Sequence, residues 1–239
     1  MYGWRGRLGL IVPSSNSTNE PEFARWLPDG VSLHTARMRL EDVDAESLGA
    51  MADEIERCTD LLATADVDAI AYGCTTGSLV HGPGYDEEIE GRVEEVAGVP
   101  AVATAASVKR AFARLGLERL AITTPYVEDL NDREVEFLTD AGYEVVAMDG
   151  LGIGDNTGIG AQTPETAYRR ARALPTADAD GVFISCTNYR TFEVVASLEA
   201  DLGLPVVTSN QATLWDALRR LEVATDEVSD LGRLFRTDR

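Results

Sequence analysis

Two stretches of this chain recur at one spacing, and that recurrence limits the folds open to it. Arg7-Leu8 to Pro13 in RLGLIVP is matched further along the chain by Arg119-Leu120 to Pro125 in RLAITTP. Cys74, closing AIAYGC, and Cys186, closing GVFISC, are separated by the same offset that separates Arg7 from Arg119. VPAVATAASVKRAFARLG is similar to LPVVTSNQATLWDALRRLE at a slightly shorter offset. Motifs sharing an offset imply two structurally equivalent halves. Within each half, apolar strand-like runs alternate with helical patterns, which argues for an α/β protein with mostly parallel sheets.

The strands are expected at RLGLIVP, GVSLHTARM, VDAIAYG and VPAVAT in the first half, and at RLAITTP, YEVVAMDG, DGVFIS and LPVVTS in the second. A helix is expected over Val43–Thr64, with Leu48, Met51, Ile55, Cys58, Leu61 and Leu62 on one face. Others are expected over Ala105–Leu115, up to Ala141, over Pro164–Leu174, between DGVFIS and LPVVTS, and over Gln211–Leu221. SSNSTNEPEF reads as a polar loop. GLGIGDNTGIG lacks the Lys-Ser/Thr ending of a P-loop and reads as a mobile glycine-rich cover over a ligand. The expected architecture is two similar three-layer αβα halves, each with a mostly parallel four-stranded sheet. A pseudo-twofold axis relates them, with the active site between. The halves are expected at 1–105 and 106–209, with a C-terminal helix in 210–239 packing back on the first and a peripheral polar tail from Asp226.

Charge bears on partners and surroundings. The 239 residues carry 41 acids against 21 bases, a net charge of −20. A nucleic-acid groove needs a basic face, so that class is excluded. Lys109 is the only lysine. An acidic, lysine-poor surface fits a salt-rich cytoplasm, where molar salt screens the repulsion among carboxylates. No run of about 18 uncharged apolar residues occurs, so no membrane partner is expected. The opening MYGWRGRLGLIVP has no signal-peptide pattern. The three cysteines, Cys58, Cys74 and Cys186, make a poor disulfide framework and point to a reducing, cytoplasmic setting.

In an open α/β sheet, ligands sit beyond the carboxyl ends of the strands, where Cys74 and Cys186 both fall. If helices start after each cysteine, their N–H groups favour anions and lower a thiol's pKa. With the halves face to face, the two thiols would flank one small ligand. Ser14, Ser15 and Asn16 after LIVP, Thr75, Thr76 and Ser78 after Cys74, and Thr187, Asn188 and Thr191 after Cys186 supply short neutral donors for carboxylates. Cys58 lies on an apolar helix face and reads as core. His34, near a strand end, reads as structural, while His81 follows the expected helix start after Cys74 and would border the cleft; neither falls in a nucleophile motif, which disfavours a Ser-His-Asp mechanism. Arg37 and Arg39 read equally well as anion contacts or surface pairs.

GLIVPSSNSTNEPEF, YGCTTGS, TTPYVEDLN, GIGDNTGIG and SCTNYRTF together resemble the aspartate/glutamate racemase superfamily, in its branch of maleate cis-trans isomerases and arylmalonate decarboxylases. The resemblance covers nearly the whole chain. It implies Cys74 as nucleophile and Cys186 as proton donor or acceptor. It implies Asn16, Tyr126 and Asn156 as holders of the substrate carboxylates, with Thr75 and Thr76 binding a carboxylate at a helix start. It also implies a cofactor-independent enzyme, without metal, and a homodimer or homotetramer. The expected activity is isomerisation of a small cis-dicarboxylate by thiolate addition, bond rotation and elimination. Alternatives are a two-cysteine racemase acting on an amino acid, an arylmalonate decarboxylase-like enzyme, and an ectoine-degradation-associated protein. The decarboxylases carry glycine where this chain has Cys74, which counts against decarboxylation. A binding protein without catalysis would not need the paired thiols.

Overall fold

A strand buried on both faces must be almost continuously apolar. GRLGLIVP meets that demand and forms β1 (Gly6–Pro13), with Leu8, Leu10, Ile11 and Val12 fully buried. The computed structural model describes residues 2–40 and 45–236. After β1 come α1 (Asn19–Trp26), β2 (Val31–Met38), α2 (Ala45–Met51), α3 (Ile55–Ala63), β3 (Ala69–Tyr72), α4 (Tyr85–Ala97), β4 (Ala101–Ala103) and α5 (Thr104–Leu115). The cycle then restarts with β5 (Arg119–Thr124), α6 (Glu128–Asp140), β6 (Glu144–Gly150), α7 (Asn156–Gly160), α8 (Pro164–Ala173), β7 (Gly181–Ile184), α9 (Val195–Leu202), β8 (Val206–Thr208) and α10 (Ser209–Arg220).

The strands form two four-stranded sheets, ordered β2-β1-β3-β4 and β6-β5-β7-β8, with every pairing parallel. Leu8 stands opposite Ala69 and Ile11 opposite Tyr72 in the first. Leu120 stands opposite Gly181 and Thr123 opposite Ile184 in the second. The offset between the two cysteines carries each of the first four positions onto its counterpart. The spacing in the sequence is therefore also a spacing in hydrogen-bonding register.

The halves exchange helices. Phe112 of α5 packs edge-on against Tyr143 and Phe183, with ring centroids 5.2 and 5.3 Å away, so the helix that follows the first sheet covers the second. Helix α10 follows the second sheet and packs against α5, β3 and β4. Its Trp215 is fully buried in a core that also holds Leu8, Leu10 and Phe183. A capping box starts α10: Thr208 Oγ1 accepts from Gln211 N and the Gln211 side chain accepts from Thr208 N.

Three local expectations change. The helix expected over Val43–Thr64 is broken into α2 and α3 by a 3-10 turn at Ala52–Glu54; Val43 and Asp44 lie outside the described residues. Glu54 ends that turn with its carboxylate accepting from Arg39 N at 3.0 Å. Three helices go unforeseen, among them the five-residue α7 inside the glycine-rich segment. Helix α1 occupies the supposed polar loop, where Pro21 is tolerated because it falls in the first turn. Helix α4 buries Tyr85, Ile89 and Val93, a stripe of spacing four that is legible in the sequence, and ends at Gly98 with φ +67°. The tail is not peripheral throughout: Leu231, Leu234 and Phe235 are fully buried. No helix among the described residues is long and apolar enough to cross a membrane.

Candidate active site

The carboxyl ends of the two sheets converge on a cavity lined by Asn16, Cys74, Thr75, Thr76, Tyr126, Asn156, Cys186, Thr187 and Asn188. Pro13 and Leu40 complete the wall. Both thiols are buried, 4% and 6% exposed. The space between these groups is about 10 Å³ for the centre of a water-sized sphere, which is room for roughly one water. Every lining side chain is neutral or a thiol.

The wall is assembled by hydrogen bonds between the halves. After β1, Asn16 Oδ1 accepts from Thr18 N and Asn19 N, both at 2.9 Å, and so satisfies the start of α1. Its Nδ2 donates to Thr187 Oγ1 at 3.1 Å. Thr187 Oγ1 donates in turn to Gly73 O at 3.1 Å. Asn188 Oδ1 accepts from Ser17 N at 2.9 Å, while its Nδ2 donates to Asn156 O and Oδ1 at 2.7 and 3.0 Å. Asn156 Nδ2 donates to Ser15 Oγ at 2.7 Å. Thr75 Oγ1 donates to Ser209 Oγ at 2.9 Å, and the same oxygen accepts from Cys186 N at 3.0 Å. The main-chain N–H groups of Thr75, Thr76 and Thr187 take no acceptor among the described residues.

Each thiol receives one main-chain donor. Gly77 N donates to Cys74 Sγ at 3.3 Å, with Thr76 Oγ1 3.9 Å away. Asn188 N donates to Cys186 Sγ at 3.3 Å. The expected helix starts are only partly present. A 3-10 turn, Thr76–Ser78, follows Cys74, but a plain turn follows Cys186, and α9 begins only at Val195. The expected lowering of the thiol pKa is overturned. Burial pushes Cys74 up to about 11, against the pull of the Gly77 N–H and the Thr76 hydroxyl. Burial pushes Cys186 up to about 12, against the Tyr126 hydroxyl and the Asn188 N–H. Both rest as neutral thiols near neutral pH because no cation compensates for lost water. Cys186 also holds φ at +100°, a strained conformation for a residue with a side chain and a feature typical of functional positions.

Four candidate donors stand outside the cavity lining: Ser15, Ser78, whose hydroxyl donates to Thr75 O, Thr191, whose hydroxyl donates to Thr208 Oγ1, and Ser14. Ser14 is exposed, and its hydroxyl accepts from Leu40 N at 3.0 Å and donates to Leu40 O at 3.3 Å. The glycine-rich segment is capped within itself, where Asp155 accepts from Thr157 N and Gly158 N, and it meets the first half where Asn156 Nδ2 donates to Ser15 Oγ and where a side chain at Gly160 would collide with Ser17 Oγ. Arg37 braces the loop after β1 from outside, donating to Asn16 O at 2.8 Å and Ser14 O at 3.2 Å. Cys58 is fully buried core. His34 bonds Ser32, and exposed His81 stacks edge-on against Tyr85. Sequence reasoning missed Ser209, the bridge between the cysteine motifs; its position one residue past LPVVT was the only available signal. No group of three or more His, Cys, Asp or Glu side chains among the described residues could hold a metal.

The arylmalonate decarboxylase family matches residues 8–235. A maleate isomerase from Nocardia farcinica is 33% identical over 242 residues, covering 97% of this chain and 96% of that protein. Among solved structures, a Pseudomonas putida S16 maleate isomerase variant with maleate has a TM-score of 0.94 at 28% identity, covering 98% of each chain. A Nocardia farcinica maleate cis-trans isomerase mutant with a covalently bound succinylcysteine intermediate has a TM-score of 0.94 at 30% identity, covering 98% of this chain and 99% of that one. This chain is a member of the arylmalonate decarboxylase family within the aspartate/glutamate racemase superfamily, on the branch that holds the maleate isomerases.

Proposed function

We propose that this protein is a maleate cis-trans isomerase that works through a cysteine thiolate. The observation that carries the reading is the meeting of two thiols in one cavity walled by neutral donors, in a chain 33% identical to a maleate isomerase over 97% of its length. The covalent succinylcysteine of the Nocardia farcinica relative supports a sulfur–carbon bond as intermediate.

In the mechanism proposed, Cys74 loses its proton to solvent once, and the thiolate then serves successive turnovers. Its Sγ attacks one alkene carbon of maleate, forming a carbon–sulfur bond. The π electrons move to the neighbouring carbon and spread into its carboxylate. Cys186 gives its proton to that carbon, leaving a succinyl group on Cys74 and a thiolate at Cys186. The former double bond is now single and rotates. Cys186 takes a proton back, the double bond reforms, and the carbon–sulfur bond breaks with its electrons returning to Cys74. Fumarate leaves and both cysteines are restored. Asn16, Asn156, Asn188, Tyr126, Thr187 and the N–H groups of Thr75 and Thr76 hold the carboxylates and stabilise charge where it develops. Substrate entry requires the wall to part, since the cavity has room for roughly one water.

We further propose a cytoplasmic enzyme, supported by its three free cysteines. A high-salt setting is supported by the net charge of −20. A homodimer or homotetramer is the state the family resemblance implies. The division into 1–105 and 106–209, with 210–239 returning to the first half, is supported by the packing of α10 on β3 and β4. The test of function is proton NMR of maleate with protein in molar salt. Fumarate should form and should cease to form in Cys74→Ala. Folded protein that leaves maleate unchanged would remove maleate as the substrate.

A further inference from the structure

The two cysteines occupy equivalent places, yet the proposed chemistry gives them different tasks. A difference between the halves must set those tasks. Glu22 and Glu134 stand apart by the offset of the cysteines, and so do Asn19 and Asn131. The repeat therefore places one carboxyl at the same point of each half, in α1 and in α6. Both are buried, 4% and 1% exposed.

Their surroundings differ. Glu22 uses both oxygens: Oε1 accepts from Thr191 N at 2.7 Å and Phe192 N at 3.0 Å, and Oε2 accepts from Asn210 Nδ2 at 2.6 Å. Glu134 has one donor, Ser185 Oγ, at 2.5 Å from Oε1. Its Oε2 is buried without a hydrogen-bond partner. Ser185 is joined through the main chain to Cys186. Negative charge on Glu134 opposes ionisation of Cys186 and of Tyr126. The influences on Cys74 are its burial, the Gly77 N–H and the Thr76 hydroxyl, with no carboxylate among them. The titratable groups that face Cys186 are Tyr126, Cys74, Glu134 and Tyr189.

We infer that Glu134 is a positioning residue: held by Ser185 behind Cys186, its carboxylate adds to the burial that keeps Cys186 a thiol, and so biases Cys186 toward proton donor and Cys74 toward nucleophile. The assignment of tasks rests on the proposed isomerase reading, while the effect on the thiol does not. An anion whose second oxygen has no donor repels a thiolate nearby without being quenched by the protein. Burial raises Glu134 itself to about 7, so the effect is fullest above neutrality.

The test is the iodoacetamide labelling rate of each cysteine, read by mass spectrometry peptide by peptide across alkaline pH, in wild type, Glu134→Gln and Ser185→Ala. Glu134→Gln keeps the volume and removes the charge. Cys186 should label about five- to tenfold faster at pH 9, the effect of a thiol pKa lowered by up to one unit, with Cys74 unchanged. Ser185→Ala keeps the charge and should give no such acceleration. An unchanged Cys186 rate in Glu134→Gln overturns the inference. So does equal acceleration of both cysteines, which would mean a loosened site. Glu134→Met provides the same reading if glutamine is not tolerated. If Cys186 accelerates as expected while wild type leaves maleate untouched, the isomerase reading fails and the effect of Glu134 on the thiol stands.

Discussion

Cys74 and Cys186 are reactive by placement and unreactive by default. Burial holds both as neutral thiols, Cys74 up to about 11 and Cys186 up to about 12, although a main-chain N–H points at each sulfur. One hydrogen bond does not replace the water that burial removes. The sign of the pH dependence follows. The neutral thiol is the form favoured in the fold, and the proposed chemistry needs thiolate at Cys74. The thiolate fraction rises about tenfold per pH unit below the pKa. The rate constant kcat/KM for maleate should therefore climb with a logarithmic slope of about one from neutral pH to pH 9. A flat profile over that range would contradict a neutral resting thiol. Sequence reasoning found both cysteines, because their repeat is a property of the chain. It misjudged their acidity, because solvation is a property of the surroundings.

Among the elements, the 3-10 turn Thr76–Ser78 is the one that bears most directly on the proposed chemistry. It brings the Gly77 N–H to the Cys74 sulfur. A Cβ at position 77 would lie 2.9 Å from Cys74 Sγ, 2.8 Å from the Tyr72 hydroxyl and 2.7 Å from Met51 Cε. All three are closer than real Cβ contacts, so the turn or the thiol must shift. Overpacking a buried site costs about 1–3 kcal/mol. Gly77→Ala should lower the melting temperature by that measure and lower kcat by at least about tenfold, since positioning errors near 1 Å cost that much or more. Unchanged kcat in a folded variant would show that the turn yields without moving the sulfur. Other elements illustrate what local pattern reveals. The apolar stripe of α4 was present in the sequence, whereas the contact of Glu54 with Arg39 N, at the break between α2 and α3, is set by the fold.

For the whole molecule, the two buried glutamates couple stability to pH. Burial raises Glu22 and Glu134 from the ordinary 4.5 to about 7, against the donors that each accepts from. The fold thus prefers them protonated. Their contribution is complete below 4.5, where folded and unfolded chains are both protonated, and is lost as pH rises through 7. Each can account for about 3 kcal/mol across that interval. The repulsion within a chain of net charge −20 acts in the same direction. In molar salt, which screens that repulsion, the melting temperature should fall from pH 5 to pH 8, and joint Glu22→Gln and Glu134→Gln substitution should flatten the fall. A melting temperature that rises over the interval would contradict the sign. The chain's one lysine also acts at this scale: Lys109 Nζ lies 2.8 Å from Asp86 Oδ2, a fully buried carboxylate, and so joins α5 to α4.

The sequence by itself determined the parallel α/β halves, their shared register and the strand-end cysteines. Apolar runs, helical periodicity and the one offset shared by strands and cysteines are carried by the order of residues along the chain. Only the tertiary structure decided which distant groups meet. It ties Asn16 to Thr187, joins Thr75 and Cys186 through Ser209, turns Ser14 toward Leu40, and sets Glu134 behind Cys186. It also decided that the thiols are neutral at rest, because the cost of ionising a group depends on the water excluded around it, and the closed packing of the two halves excludes that water.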